Sequence, residues 1–138
     1  MPVSYADLCD AFFFVNAGGI GENEAFFDTR SGQIYWHSEF NDVKDELPDD
    51  IEDERYIAIP HGKELGLGKP LALEFARQVL PHRYDEVRQI FSRRGAHGRF
   101  KAFLVRVRAL QRWYEFSSAA QEAALREWCQ QNSIELTD

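Results

Sequence analysis

Cysteine is scarce in this chain, and its two thiols stand apart. Cys9 and Cys129 belong to no Cys-x-x-Cys pair, so no short redox or metal motif can be built from them. They read as reduced, buried thiols of a cytoplasmic protein, and the sequence alone leaves a bridge between them open. Long apolar runs are missing too. Nothing approaches about 18 residues, so no segment reads as a membrane span. The opening stretch, "MPVSYADLCDAFFFVNAGG", has an apolar burst but no basic leader. It carries Asp7 and Asp10, and is not expected to act as a secretory signal. Positive charge is outnumbered, with a net charge of −7, which opposes general binding to nucleic acid or to an anionic membrane.

Catalytic and cofactor signatures are equally thin. There is no Gly-x-Ser-x-Gly elbow. His37, His61, His82 and His97 show no metal-ligand spacing with one another or with the cysteines, and read as surface or partly buried imidazoles. The acids from Asp49 to Glu54 lack the Asp-x-Asp-x-Asp-Gly order of a calcium loop and read as solvated. "GKELGLGKP" (62–70) has one residue too many between its glycines for a phosphate-binding P-loop. Pro70 also stands where the magnesium-binding hydroxyl belongs. "GGIGEN" (18–23) lacks the last glycine of the dinucleotide fingerprint and reads as a turn. Asp7 and Asp10 are explained as helix-start charges rather than as a catalytic pair. No catalytic residue, metal or cofactor is assigned from sequence.

What the chain does have is apolar mass at regular spacing. Its 138 residues suffice for a single domain, 1–138, burying roughly 68% of the unfolded chain's surface. With 44% apolar and 14% aromatic residues, including eleven Phe, the core is expected to be ring-rich. "SYADLCDAFFFVN" predicts a first helix, with Ser4 as its cap, Asp7 three positions on, and Leu8, Ala11, Phe12 and Val15 facing inward. Two aromatic-rich runs flank Thr29-Arg30-Ser31-Gly32, predicting a hairpin with strands near 24–29 and 33–38. Residues 39–54 are acid-dense and read as a surface loop or short helix. "RYIAIP" (55–60) reads as a short strand buried on both faces.

Four further helices are expected. One covers about 70–80 with Pro70 at its first position, and one about 82–93, closed by a left-handed Gly95. The third runs over about 97–111, with Phe100, Phe103, Leu104, Val107 and Leu110 on one face. The last starts at Ser117 or Ser118 and ends at Asn132, and "IEL" adds a terminal strand. The fold class is α+β: a small antiparallel sheet of about four strands packed with about five helices.

Charge along the chain is blocked. From Glu22 to Glu54 twelve acids face two bases, Arg30 and Lys44. From Val87 to Tyr114 there are eight bases and no acid: Arg88, Arg93, Arg94, Arg99, Lys101, Arg106, Arg108 and Arg112. Arg93 and Arg94 close a helix, where cations suit the dipole. Arg99 and Lys101 lie in the first turns of the next helix, where a cation costs about 0.3–1 kcal/mol. On a helix over 97–111, Lys101, Arg108 and Arg112 share one flank of the apolar stripe, and Arg99 and Arg106 the other. Either the acidic segment 39–54 neutralises this block internally, or the block receives an anion from outside.

"RYIAIP", the helix with Phe75, "RGAHGRFKAFL" (94–104), "RWYEF" (112–116) and "WCQQNSIEL" (128–136) resemble, in order and spacing, a bacterial family known as uncharacterised protein family 0158. The resemblance covers about 55–136. This chain departs from the family pattern at His97 and Gly98, where an aromatic and a basic residue are usual, and at Ala102, where an acid is common. Gly98 and Ala102 are therefore not read as part of a shared site. The resemblance implies a cytoplasmic bacterial protein, and brings no activity, cofactor or catalytic residue.

The sequence reading is thus a non-catalytic domain that binds an acidic protein or an anionic small molecule. Its candidate residues are Arg94, His97, Arg99, Lys101, Arg108 and Arg112. The alternative from another class is a small enzyme acting on a phosphorylated or carboxylated substrate, with His97 as general acid or base. A nucleic-acid-binding accessory role is a third reading, and the net charge counts against it.

Overall fold

Ser4 opens the first helix as its spacing predicts: its Oγ accepts the Asp7 N–H at 3.1 Å. The structure, a computed structural model, describes residues 2–38 and 47–137. Its elements run β1 (Val3–Ser4), α1 (Tyr5–Asn16), β2 (Asn23–Asp28), β3 (Ile34–Ser38), β4 (Tyr56–Ala58), α2 (Lys69–Val79), α3 (Tyr84–Ile90), α4 (Ala96–Arg106), α5 (Leu110–Gln131) and β5 (Leu136–Thr137). Single 3-10 turns sit at Gly62–Leu65 and Pro81–Arg83. The class is α+β. Its contacts divide into two compact units, one made of residues 1–65 with 125–138, the other of Gly66–Ala124.

In the first unit α1 buries Leu8, Ala11, Phe12 and Val15, the stripe set by its helical spacing. The central strand β2 pairs antiparallel with β3 on one side and β4 on the other. The hairpin closes where Gly32, at φ 78°, donates its N–H to the Asp28 carbonyl at 2.8 Å. The Asp28 side chain is buried under the same turn. Its carboxylate accepts the Arg30 N–H (2.9 Å), the Ser31 hydroxyl (2.9 Å) and the Arg55 guanidinium (3.1 Å). Arg55 also accepts the Thr29 N–H at its carbonyl, so the turn is fastened to the start of β4.

Two expectations change here. β4 is not buried on both faces: Tyr56 is buried, Ile57 half-buried and Ala58 exposed, and among the described residues the strand is an edge paired with β2. The terminal strand β5 does not join the antiparallel sheet. It pairs parallel with β1, Val3 opposite Leu136, so the antiparallel sheet has three strands among the described residues where about four were expected. Of the acid-dense segment, 39–46 lie outside the described residues, and 47–54 form turns held by bonds such as Ile51 N–H to Pro48 O. Both cysteines are free. Cys129 is buried and Cys9 half-buried, and burial pushes the Cys129 thiol pKa up.

The second unit is helical. Its core joins Ala72, Phe75 and Ala76 of α2 to Val87 of α3 and to Phe100, Phe103 and Leu104 of α4, with Trp113 and Phe116 of α5 packed against them. The rings meet edge-on: Phe75 with Trp113 at 5.3 Å and 73°, and Phe100 with Trp113 at 5.1 Å and 82°. α2 starts one residue before Pro70, which still lies in its first turn. α3 ends at Ile90, short of the expected 93. Gly95 is left-handed as expected, at φ 73°, but caps the start of α4 rather than the end of α3.

The largest correction is at 107–109. The helix expected over 97–111 stops at Arg106, and the last helix begins at Leu110 rather than at Ser117. Arg108 takes a left-handed backbone at φ 59°. Ala109 N–H then bonds Leu104 O (2.8 Å) and Arg108 N–H bonds Val105 O (3.2 Å), closing the α4 terminus over two buried residues, Leu104 and Ala109. The same closure recurs at the end of α5, with Ser133 at φ 57°, Ile134 N–H on Cys129 O and Ser133 N–H on Gln130 O. Each site is one where glycine is the unstrained choice, and a side chain there costs about 1–2 kcal/mol. Arg108→Gly should therefore raise stability by about 1 kcal/mol in urea unfolding. A loss of stability would mean that the Arg108 side chain holds the fold.

Candidate functional site

The cationic block is assembled from the turn after α3, from α4, and from the first turn of α5. The turn folds back at Gly95, where a Cβ would lie 3.4 Å from Arg99 Nη1. That reversal brings Arg99, one turn into α4, over the end of α3. Its Nη2 donates to the carbonyl of Ile90, the last residue of that helix, at 3.2 Å. The cation therefore serves the negative end of the preceding helix, which the sequence alone did not reveal. Among the described residues, no side chain caps the start of α4.

The structure separates the predicted residues. Arg94 is exposed in the turn. His97 is exposed, with its ring edge-on to Phe91 at 5.6 Å and 84°. Arg99 and Lys101 are exposed on α4. Arg108 and Arg112 do not share a flank of one helix with Lys101, since the chain breaks at 107–109. Arg106 forms an ion pair with Glu86, and Glu86 also takes Arg83 at 3.3 Å. Arg88 pairs with Asp85 at 3.9 Å. Among the described residues, Arg93, Arg94, Arg99, Lys101, Arg108 and Arg112 form no ion pair.

Shallow grooves lined by described residues lie in this unit. One, of about 340 Å³, is lined by Glu86, Ile90, Arg99, Ala102, Phe103 and Arg106. Another, of about 600 Å³, is lined by Lys69, Leu73, Asp85, Arg88, Gln89 and Ser92. Neither includes His97, so neither joins that imidazole to a second titratable group.

Gly98 is a residue whose type the fold does not demand. A Cβ there would meet nothing within 4 Å, yet glycine inside a helix costs about 1 kcal/mol relative to alanine.

In the first unit, His61 is buried, where a surface or partly buried imidazole was expected. Its Nδ1 accepts the Lys63 N–H (3.1 Å), so Nε2 carries the hydrogen and donates to Gly18 O (3.1 Å). Glu64 in turn accepts the His61 N–H at 3.2 Å. This is a capping box with histidine in the place of serine, legible in "HGKE" only to a reader who allows that exchange. A cavity of about 200 Å³ beside it is lined by Val15, Ile20, Ile59, His61 and Glu64, among others. Every polar atom of the imidazole is used by the backbone, which leaves it no free position for chemistry.

Among the described residues, no group of three or more His, Cys, Asp or Glu side chains is placed to hold a metal ion, and no helix is long and apolar enough to cross a membrane. Comparison with family models, with curated proteins and with solved structures found no match for the chain.

Proposed function

We propose that the Gly66–Ala124 unit is a non-catalytic binding module whose cationic surface around the turn before α4 and its first turns receives an acidic protein or an anionic ligand. The observation that carries this reading is charge without a counterion. Arg94, Lys101, Arg108 and Arg112 are exposed and, among the described residues, form no ion pair. Exposed cations in a chain of net charge −7 attract anions locally while the rest of the surface repels them, which favours selective rather than general anion binding.

Titration with fluorescently labelled polyglutamate at low salt tests this. The protein should bind it, with affinity falling as salt rises because exposed charges are screened within about 10 Å at 0.1 M. Lys101→Glu and Arg94→Glu should each weaken binding several-fold without lowering the melting temperature. Undiminished binding by both variants would remove the reading.

A further inference from the structure

Among the described residues, one face of α4 lies open. Gly98, Ala102 and Val105 recur at i, i+4 and i+7, so they share one side of the helix. All three are exposed, Val105 at 61%, while Phe100, Phe103 and Leu104 fill the buried side. At 3.6 residues per turn, Lys101 borders this strip on one edge, and Arg99 and Arg106 border it on the other. The result is a narrow seam of small and apolar residues with one cation on one edge and two on the other.

A seam of this kind matches the surface of a second helix. A helix packing along it needs a thin apolar stripe and acidic residues on both flanks, the arrangement by which paired helices select a partner through charge. Gly98 adds close approach, since with open space above it a neighbouring backbone can come nearer than any side chain there would allow. The cations decide the sign of the partner. Arg106 already meets Glu86 and Arg99 meets the Ile90 carbonyl, whereas Lys101 has no ion pair among the described residues.

We propose that this face of α4 docks an acidic amphipathic helix of a partner protein. The partner's apolar stripe lies along Gly98, Ala102 and Val105, and its carboxylates face Lys101, Arg99 and Arg106. The proposal rests on the anionic-partner reading above and narrows it to a helix. The seam covers about two turns, a footprint suited to a weak and reversible complex.

Gly98→Gln separates docking from folding, because it fills the seam while improving the helix. The probe is a labelled designed peptide of about three heptads, with Leu and Ala at the seam positions and Glu at the flanks. A scrambled peptide of the same composition keeps the charge and loses the stripe. The wild-type protein should bind the ordered peptide about tenfold more tightly than the scrambled one by fluorescence anisotropy. Gly98→Gln should melt no lower than wild type and lose that tenfold preference while binding polyglutamate as before. Val105→Gln, at an exposed position and without a change of charge, should do the same.

Equal affinity for both peptides, or an unchanged preference in both variants, overturns the helix proposal and leaves the anionic-partner reading standing. Failure of every acidic probe overturns both. Tighter binding of duplex DNA than of the ordered peptide assigns the face to nucleic acid instead. Self-association in sedimentation that Gly98→Gln abolishes assigns it to a second copy of the chain. Either result refutes the acidic-helix docking.

Discussion

Phe75→Ala is expected to lower stability by about 3–5 kcal/mol, a large part of the 5–15 kcal/mol available to a typical domain. Phe75 is wholly buried, and its ring meets both Trp113 and Phe116 at 5.3 Å. Truncation removes the transfer energy of the ring and also leaves a hole. The surrounding aromatics are held by one another, Phe100 against Trp113 and Phe91 against Phe100, and cannot easily collapse into it. Phe75→Leu retains part of the volume and should cost less. Urea unfolding followed by circular dichroism measures both. A loss below about 1 kcal/mol for the alanine variant would mean that this ring cluster is not the core of its unit.

The second large effect is expected at Asp28. Asp28→Ala should cost about 2–4 kcal/mol near neutral pH, because three donors lose a charged, buried acceptor beneath the hairpin turn. The same carboxylate gives the fold an acid-sensitive element. Burial alone would raise its pKa. The Arg30 N–H, the Ser31 hydroxyl and the Arg55 guanidinium outweigh that, and hold it below the ordinary 3.8. A carboxyl whose folded value is depressed stabilises the fold fully above its unfolded value and progressively less as pH falls through the folded one. Wild-type stability should therefore fall as pH drops below about 4, and the gap between wild type and Asp28→Ala should narrow over that range. A gap that stays constant down to strong acid would show that the carboxylate's charge contributes nothing.

How far these features can be read from the residues depends on whether their cause is local. α1 is legible because cap and stripe lie within one segment: Ser4 and Asp7 set the start, and Leu8, Phe12 and Val15 the buried side. The hairpin is legible because Gly32 supplies the left-handed turn where the pattern asks for it. The break between α4 and α5 is not. Arg108 and Ser133 adopt left-handed backbones without glycine, so the punctuation that normally marks a helix end is absent, and a continuous helix over 97–111 is the natural but mistaken reading. The pairing of β1 with β5 is invisible for another reason, since two residues from each end of the chain carry too little pattern to announce a ladder.

The candidate surface divides in the same way. The unbroken run of bases is evident in the sequence, and so is the oddity of cations early in a helix. The partner of Arg99 is not, because the Ile90 carbonyl comes within reach only through the reversal at Gly95. The openness above Gly98 likewise belongs to the packing of α4, which leaves that side uncovered.

Arg94 and Lys101, beside and within the first turns of α4, form no ion pair among the described residues. Thermal melting of the double variant Arg94→Glu, Lys101→Glu at low salt tests it most directly. The account predicts a melting temperature equal to or above that of wild type, since like charges are thinned and acids replace bases near the positive end of the α4 dipole. A fall equivalent to more than about 1 kcal/mol would show that carboxylates of this same chain hold those side chains, and would contradict the account.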